Sequence, residues 1–161
     1  MSEQKNTYTS LPVLLGVFGD PIAHSKSPAM HNAALATAGV NGLYMPLHVR
    51  PEQLEAAVKG IVALGYRGVN VTIPHKEEVM KYLDVIDDSA RLIGAVNTIV
   101  NDNGKLTGYN TDGIGYVRSL KEEAVQELAG KKIAVLGAGG AARGAIYALA
   151  LEKPERISIL N

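Results

Sequence analysis

A short apolar run at residues 133–136 opens directly onto Gly137-Ala-Gly-Gly-Ala-Ala142, then onto a small-residue helical stretch reaching about Leu151. A second apolar run follows at residues 157–160. Strand, glycine turn, helix and strand in that order leave few folds open. Two strands joined through a helix lie parallel and belong to a sheet covered by helices. The glycines follow the spacing G-x-G-x-x-A. Here Gly137 permits the tight turn, Gly139 lets a pyrophosphate approach the backbone, and Ala142 lets the helix pack closely on the strand. Free N–H groups at the helix start, around Gly140 and Ala141, face the anion. Gly137, Gly139, Gly140 and Ala141 are therefore candidate dinucleotide-binding residues; a merely structural glycine turn is the competing reading.

The preceding chain alternates in the same manner. Residues 14–19 read as a strand. Ser27 reads as an N-cap with Pro28 at the first helical position, starting a helix to about Ala38. Residues 43–49 form a second strand. Pro51 opens a helix with Leu54, Val58, Ile61 and Leu64 on one face, closed by Gly65. A strand at 68–73 is followed by short helical stretches at 77–83 and 87–93. Strands at 95–100 and 105–109 flank Asn101-Asp-Asn-Gly104, a hairpin signal. Residues 112–128 read as a long amphipathic helix with Ile114, Val117, Leu120, Ala124, Val125 and Leu128 on one side. The expected fold is α/β: a mostly parallel sheet flanked by helices, followed by the first β-α-β of an incomplete Rossmann domain. The expected division is 1–110 for a substrate-binding unit, 111–130 for a connecting helix and 131–161 for the dinucleotide-binding start.

Composition excludes several classes of function. Sixteen basic residues balance sixteen acidic ones, so nothing electrostatic favours nucleic acid or an anionic membrane surface. With no cysteine there is no disulfide, no thiolate chemistry and no cysteine-ligated zinc; this suits a reducing cytoplasm. The polar start Met1-Ser-Glu-Gln-Lys-Asn6, and Pro12 and Gly16 in the run that follows, fit neither a signal peptide nor a membrane span. No metal site is read.

Gly68-Val-Asn-Val-Thr-Ile-Pro-His-Lys76 is the second informative stretch. Val69, Val71 and Ile73 alternate with Asn70 and Thr72, as in a strand with two different faces. Pro74 lacks an N–H and stops the ladder. Lys76 is delivered just past the strand end, below a threonine and an asparagine. A surface lysine after a strand is the plain reading; a polar substrate site is the other.

Five segments in order then bear a resemblance over essentially the whole chain. They are Gly19-Asp-Pro-Ile-Ala-His-Ser-Lys-Ser-Pro28 with His31-Asn32, Asn70-Val-Thr-Ile-Pro-His-Lys76, Gly94-Ala-Val-Asn-Thr98, Tyr109-Asn-Thr-Asp-Gly113, and Gly137-Ala-Gly-Gly-Ala141. Together they resemble shikimate dehydrogenase. The resemblance implies NADPH-dependent reduction of 3-dehydroshikimate to shikimate in aromatic amino-acid biosynthesis, in a cleft between a substrate domain and a Rossmann domain. It implies that Lys76 and Asp112 are the catalytic pair. It implies that Ser25 and Ser27 bind the substrate carboxylate, and that Thr72 and Asn97 bind ring hydroxyls, with Asn70 in support. Taken alone, Ser27 serves equally as a helix cap, and Lys76 serves as proton donor or as a stabiliser of negative charge. The neutral Asn161, at the place of the ribose-reading acid, leans the cofactor toward NADP. The implied partner is a small molecule, with neither nucleic acid nor membrane, in the cytoplasm; the resemblance allows a homodimer.

Lys26 stands where leucine is frequent in that family, and His75 where phenylalanine is common. His75 is left out of the site because neighbours alternate away from one another on a strand end. The family's substrate-contacting glutamine and tyrosine and its basic adenine-side loop have no counterpart up to Asn161. The chain is therefore expected to be an N-terminal portion of a longer protein, with little dehydrogenase activity alone. The alternatives are a quinate/shikimate dehydrogenase using NAD or NADP, and a non-catalytic shikimate-binding module. A methylenetetrahydrofolate dehydrogenase-like enzyme is the third, and the Ser25/Ser27 and Tyr109–Gly113 motifs speak against it.

Overall fold

A computed structural model describes residues 11–124 and 127–161. Strand β1 (Val13–Gly19) leads to helix α1 (Ser27–Thr37) and strand β2 (Gly42–His48). A single 3₁₀ turn, Pro51–Gln53, opens α2 (Leu54–Ala63), which returns to β3 (Tyr66–Val71). After a 3₁₀ turn at Glu78–Tyr82 come β4 (Val85–Ile86), α3 (Asp88–Ile93), β5 (Thr98–Asp102) and β6 (Lys105–Tyr109). Helix α4 (Asp112–Glu123) leads to β7 (Lys132–Leu136), α5 (Gly140–Leu151) and β8 (Arg156–Leu160).

The first six strands form one sheet in the order β2-β1-β3-β5-β6-β4, and β7 and β8 form a second, parallel pair. In the larger sheet β1 lies parallel to both β2 and β3, and β4 lies parallel to β6. β5 runs antiparallel to its neighbours β3 and β6. The cause is local. Asn103 and Gly104 take φ of 53° and 93°, and Asn101 Oδ1 accepts from Gly104 N at 2.8 Å. Two successive left-handed residues make a turn that joins only antiparallel strands.

Helix α2 packs on this sheet through Leu54, Val58 and Ile61, one stripe at helical spacing, over Phe18, Val69 and Val71. Leu64 does not complete the stripe. The helix ends at Ala63, Gly65 turns the chain with φ +70°, and Leu64 is left 68% exposed. Ile73 departs too. The strand ends at Val71; beyond it the Thr72 N–H bonds Phe18 O and the Ile73 carbonyl accepts from Asp20 N, while the Ile73 side chain swings out, leaving the residue 73% exposed. β5 begins at Thr98, so Ala95 and Val96 are buried in the connection before it rather than within the strand.

The second sheet is covered on one face by α4 and α5, with Val117, Leu128, Ala148 and Leu149 buried together. α4 stops at Glu123, so Leu128 reaches this core from beyond the helix, while Ile114 is exposed. Val125 lies outside the described residues. β7 is not the buried strand its apolar sequence suggests. Only Ile133 and Val135 are half-covered, and Leu136 is 81% exposed. α4 and α5 touch backbone to backbone. A Cβ on Gly113 would stand 2.2 Å from Gly144 O and 2.9 Å from Ala148 Cβ.

Gly113→Ala should therefore lower stability by about 1–3 kcal/mol, the cost of overpacking, read as an earlier urea midpoint. Gly115→Ala, on the same helix, meets nothing within 4 Å and should leave the midpoint unchanged or raise it. Equal stability of the two variants would contradict the close contact.

Candidate active site

The topology gathers several strand ends. β1 and β3 run together, with Phe18 opposite Val71, so the segments after both leave the sheet side by side. β5 starts opposite the end of β3, pairing Thr98 with Asn70, and β6 ends beside that start, pairing Tyr109 with Thr98. Ser25, Thr72, Lys76, Asn97 and Asp112 all belong to segments at this edge. In open α/β sheets this is the side where ligands bind.

A continuous set of hydrogen bonds occupies the edge. Lys76 Nζ donates to Asp112 Oδ2 at 2.6 Å, with both side chains half-buried. Asn97 Nδ2 donates to Asp112 Oδ1 at 2.7 Å and to Thr111 Oγ1 at 3.0 Å. Both oxygens of the Asp112 carboxylate are thereby held. Asn97 Oδ1 accepts from Thr111 N at 2.9 Å and from Thr98 Oγ1 at 3.0 Å. Asn70 Nδ2 donates to Thr98 Oγ1 at 3.1 Å, and Tyr44 OH donates to Asn70 Oδ1 at 2.7 Å. Asp112 is the first residue of α4, where the helix dipole favours a carboxylate. The buried Asn110 sets that start, taking Asp112 N on its Oδ1 and giving its amide to Ala95 O at 2.9 Å.

The Lys76 segment is pinned from beneath. Lys76 O accepts from Val96 N, and the buried His75 places Nε2 2.6 Å from Val49 O. A carbonyl only accepts, so that nitrogen carries the proton. His75 points into the core and not toward Lys76's partner Asp112.

The serine segment differs from expectation in one respect. Lys26, not Ser27, stands at the N-cap of α1, and Ser27 is the first helical residue. Ser25 Oγ takes the Ser27 N–H at 3.2 Å, so Ser25 is the capping side chain. The Tyr44 phenol donates instead to Asn70 Oδ1. Asn32 grips the Tyr44 backbone with two 2.9 Å bonds, and the His31 ring stacks on Tyr44 at 4.4 Å. Tyr44 thus ties helix α1 to Asn70 and onward to Asn97. Among the described residues no hydrogen bond joins the Thr72 hydroxyl to this set. Its methyl packs on Gly19, where a Cβ would come within 2.7 Å. Tyr44, Thr98, Thr111 and Asn110 have no forecast role in the sequence. Thr111 and Asn110 at least fall inside a recognised motif, whereas Tyr44 shows only strand alternation.

Facing Lys76 across a cleft of about 560 Å³ is the glycine turn. Thr72, Lys76 and Glu77 line one wall; Gly137, Gly139, Gly140 and Ala141 line the other. Gly137 takes φ +102°, and a Cβ at Gly137 or Gly139 would meet nothing within 4 Å. α5 has no side-chain cap and no acidic residue in its first turn. Its leading N–H groups and dipole are therefore available to an anion. These residues fit a dinucleotide diphosphate.

Fold and cleft together define a two-sheet α/β protein in which a lysine–aspartate cluster opposes a glycine-rich βαβ turn. A model of the shikimate dehydrogenase substrate binding domain matches residues 17–99, and the chain belongs to that family. It is 52% identical over 161 residues to the shikimate dehydrogenase (NADP(+)) of Symbiobacterium thermophilum, covering 100% of this chain and 54% of the relative. The chain thus spans about half the length of the curated relatives it matches. The shikimate 5-dehydrogenase of Listeria monocytogenes, solved with shikimate and NAD, superposes with a TM-score of 0.87 at 43% identity, over 99% of this chain and 54% of that one. The Thermus thermophilus enzyme, solved with NADP(H) and shikimate, gives 0.85 at 38%, over 91% and 56%.

The burial of Tyr44, 4% exposed, pushes its phenol from 10.0 up to about 12, with the polar Ser27 side chain opposing. Between those values the folded protein keeps a proton that the unfolded chain has lost. The stability this group contributes is complete below pH 10 and is lost as pH rises to 12. Across that window the loss should reach about 2–3 kcal/mol. Tyr44→Phe should lack this part of the decline in urea unfolding; equal slopes in both proteins would refute it.

Proposed function

We propose that the chain provides the substrate-binding part and the start of the cofactor-binding part of an NADP-dependent shikimate dehydrogenase. Such an enzyme is an oxidoreductase acting on a CH–OH group, and it reduces 3-dehydroshikimate to shikimate in aromatic amino-acid biosynthesis. The observation that carries the reading is the 2.6 Å Lys76–Asp112 pair, whose lysine lines a cleft opposite the Gly137–Ala141 turn. The relatives' names support the substrate and the cofactor, and the uncharged Asn161 after β8 favours NADP. We divide the chain into a substrate unit at 1–110, a connecting helix at 111–130 and a dinucleotide unit from 131, in keeping with the two sheets.

When bound, the nicotinamide supplies a hydride to the ring carbonyl carbon. The chain binds, orients and handles the proton. Ser25 and Ser27, at the start of α1, offer two hydroxyls to the substrate carboxylate. Thr72 hydrogen-bonds a ring hydroxyl, and Asn97 reaches another by exchanging one of the bonds its amide makes to Thr98 and Thr111. Lys76 Nζ gives its proton to the carbonyl oxygen as negative charge grows there, and takes it back in the reverse direction. Asp112 Oδ2 fixes that ammonium and accepts from the neighbouring substrate hydroxyl; Asn97 keeps the carboxylate in place. The partner is a small molecule, with no nucleic acid or membrane involved. No helix among the described residues is long and apolar enough to cross a membrane. We place the protein in the cytoplasm as a homodimer, which sedimentation of the purified protein tests.

A second reading, relaxed substrate and cofactor choice, is favoured by the relative solved with shikimate and NAD. Steady-state rates on shikimate and quinate, each with NAD and NADP, separate the two.

In the full-length protein Lys76→Ala should lower kcat by about 10²–10⁴-fold, the usual range for losing a general acid, with little change in KM. Ser25→Ala should do the reverse, raising KM for 3-dehydroshikimate with kcat nearly kept. A normal kcat in Lys76→Ala would overturn the assignment.

A further inference from the structure

Glu77 follows Lys76 on one wall of the cleft, and Arg143 belongs to the first turns of α5 behind the other. Their side chains meet as an ion pair between Arg143 Nη2 and Glu77 Oε1. The pair sits over the first residue of α5. A Cβ on Gly140 would lie 3.7 Å from Glu77 Oε1 and 3.8 Å from Arg143 Nη2. Gly94, at the end of α3, backs the guanidinium, since a Cβ there would stand 3.3 Å from Arg143 Nη1. Arg143 Nε is buried without a partner among the described residues, so the arginine is seated between elements rather than free in solvent.

The chemistry of this placement is specific. α5 carries no acid in its own first turn. The carboxylate beside its positive end comes from Glu77, on the lysine-bearing wall. An anion bound at the glycine turn arrives next to that carboxylate and is repelled by it unless the charge is cancelled. Arg143 is the cation that cancels it.

We propose that Glu77 and Arg143 form an electrostatic gate on dinucleotide affinity: Glu77 opposes the incoming diphosphate, and Arg143 acts by neutralising Glu77 rather than by binding the dinucleotide. The inference rests on the dinucleotide reading of the cleft. Arg143 is on this view a positioning residue, and Glu77 a determinant of affinity adjacent to, but separate from, the Lys76–Asp112 pair.

The test is titration of NADPH into the full-length protein at low ionic strength, for wild type, Glu77→Gln, Arg143→Met, Arg143→Lys and the Glu77→Gln/Arg143→Met double variant. Glu77→Gln should tighten Kd by about threefold to fivefold, and Arg143→Met should weaken it by as much, the effect of one partly screened charge. The double variant should bind as Glu77→Gln does, since Arg143 then has no charge to neutralise, and Arg143→Lys should keep the wild-type value. All these shifts should fade in about 1 M salt. A double variant as weak as Arg143→Met makes Arg143 a direct ligand and overturns the proposal. Should Arg143→Met fail to fold, Glu77→Gln and Arg143→Lys decide. Clear wild-type binding left unchanged by Glu77→Gln sinks the gate while the dinucleotide reading stands. If neither wild type nor Glu77→Gln binds NADPH while both bind shikimate, the dinucleotide reading falls and the gate with it.

Discussion

The side chain of Asn97 fastens the active edge at one point. Its oxygen receives Thr111 N and Thr98 Oγ1, and its amide reaches Thr111 Oγ1 and Asp112 Oδ1. Its backbone is equally committed, with the carbonyl taking Val71 N and the N–H given to Tyr109 O. One residue therefore joins β3, β5, β6 and the start of α4. It is nearly buried, so no solvent stands ready to replace a lost partner, and an unmade bond there costs the full desolvation of the group. The orientation of Asp112, and through it of Lys76, follows from this amide.

The cleft sets two kinds of polarity against each other. On the sheet side, side chains supply fixed donors and acceptors, each oriented by another: His75 by the core, Asp112 by Asn97 and Asn110, Tyr44 by Asn32. On the glycine side the backbone itself is the polar surface. Gly137 and Gly139 leave room because they lack side chains, and the α5 N-terminus has no cap of its own. Such a pairing suits a ligand with an acidic, hydroxylated end and a phosphate-bearing partner. The Glu77–Arg143 contact is where the two walls meet by charge.

Much of this was legible in the residues. The β-α-β around Gly137, the hairpin at Asn101–Gly104 and the buried stripe Leu54, Val58 and Ile61 follow from spacing alone, because local rules fix them. Departures cluster where an element ends or a face is shared. Leu64 fits the periodicity of α2 but falls after its last turn, and Ile73 fits the alternation of β3 but falls beyond the strand's end at Val71. Leu136 is apolar yet exposed, since α4 and α5 cover only one face of β7. Ser27 reads as a cap by its position before Pro28, but Lys26 holds the N-cap position and the Ser27 N–H is taken by Ser25, two residues earlier. Tyr44 is invisible as a site-supporting residue because its partners Asn32 and Asn70 stand 12 and 26 positions away.

The sequence by itself determined the identity of the chemical groups and the order of the elements that carry them: a lysine past a strand end, an aspartate opening a helix, two serines before another, and a glycine turn between strand and helix. These depend on neighbours in the chain and are set by backbone geometry and side-chain type. Tertiary structure alone decided which of those groups meet. Lys76 reaches Asp112 across 36 residues, and Arg143 reaches Glu77 across 66. Both contacts require β5 and β6 to turn back beside β3, and α5 to pack on α4 through Gly113 and Gly144. Long-range pairing of this sort is a property of the sheet order and the helix packing, and no local pattern encodes it.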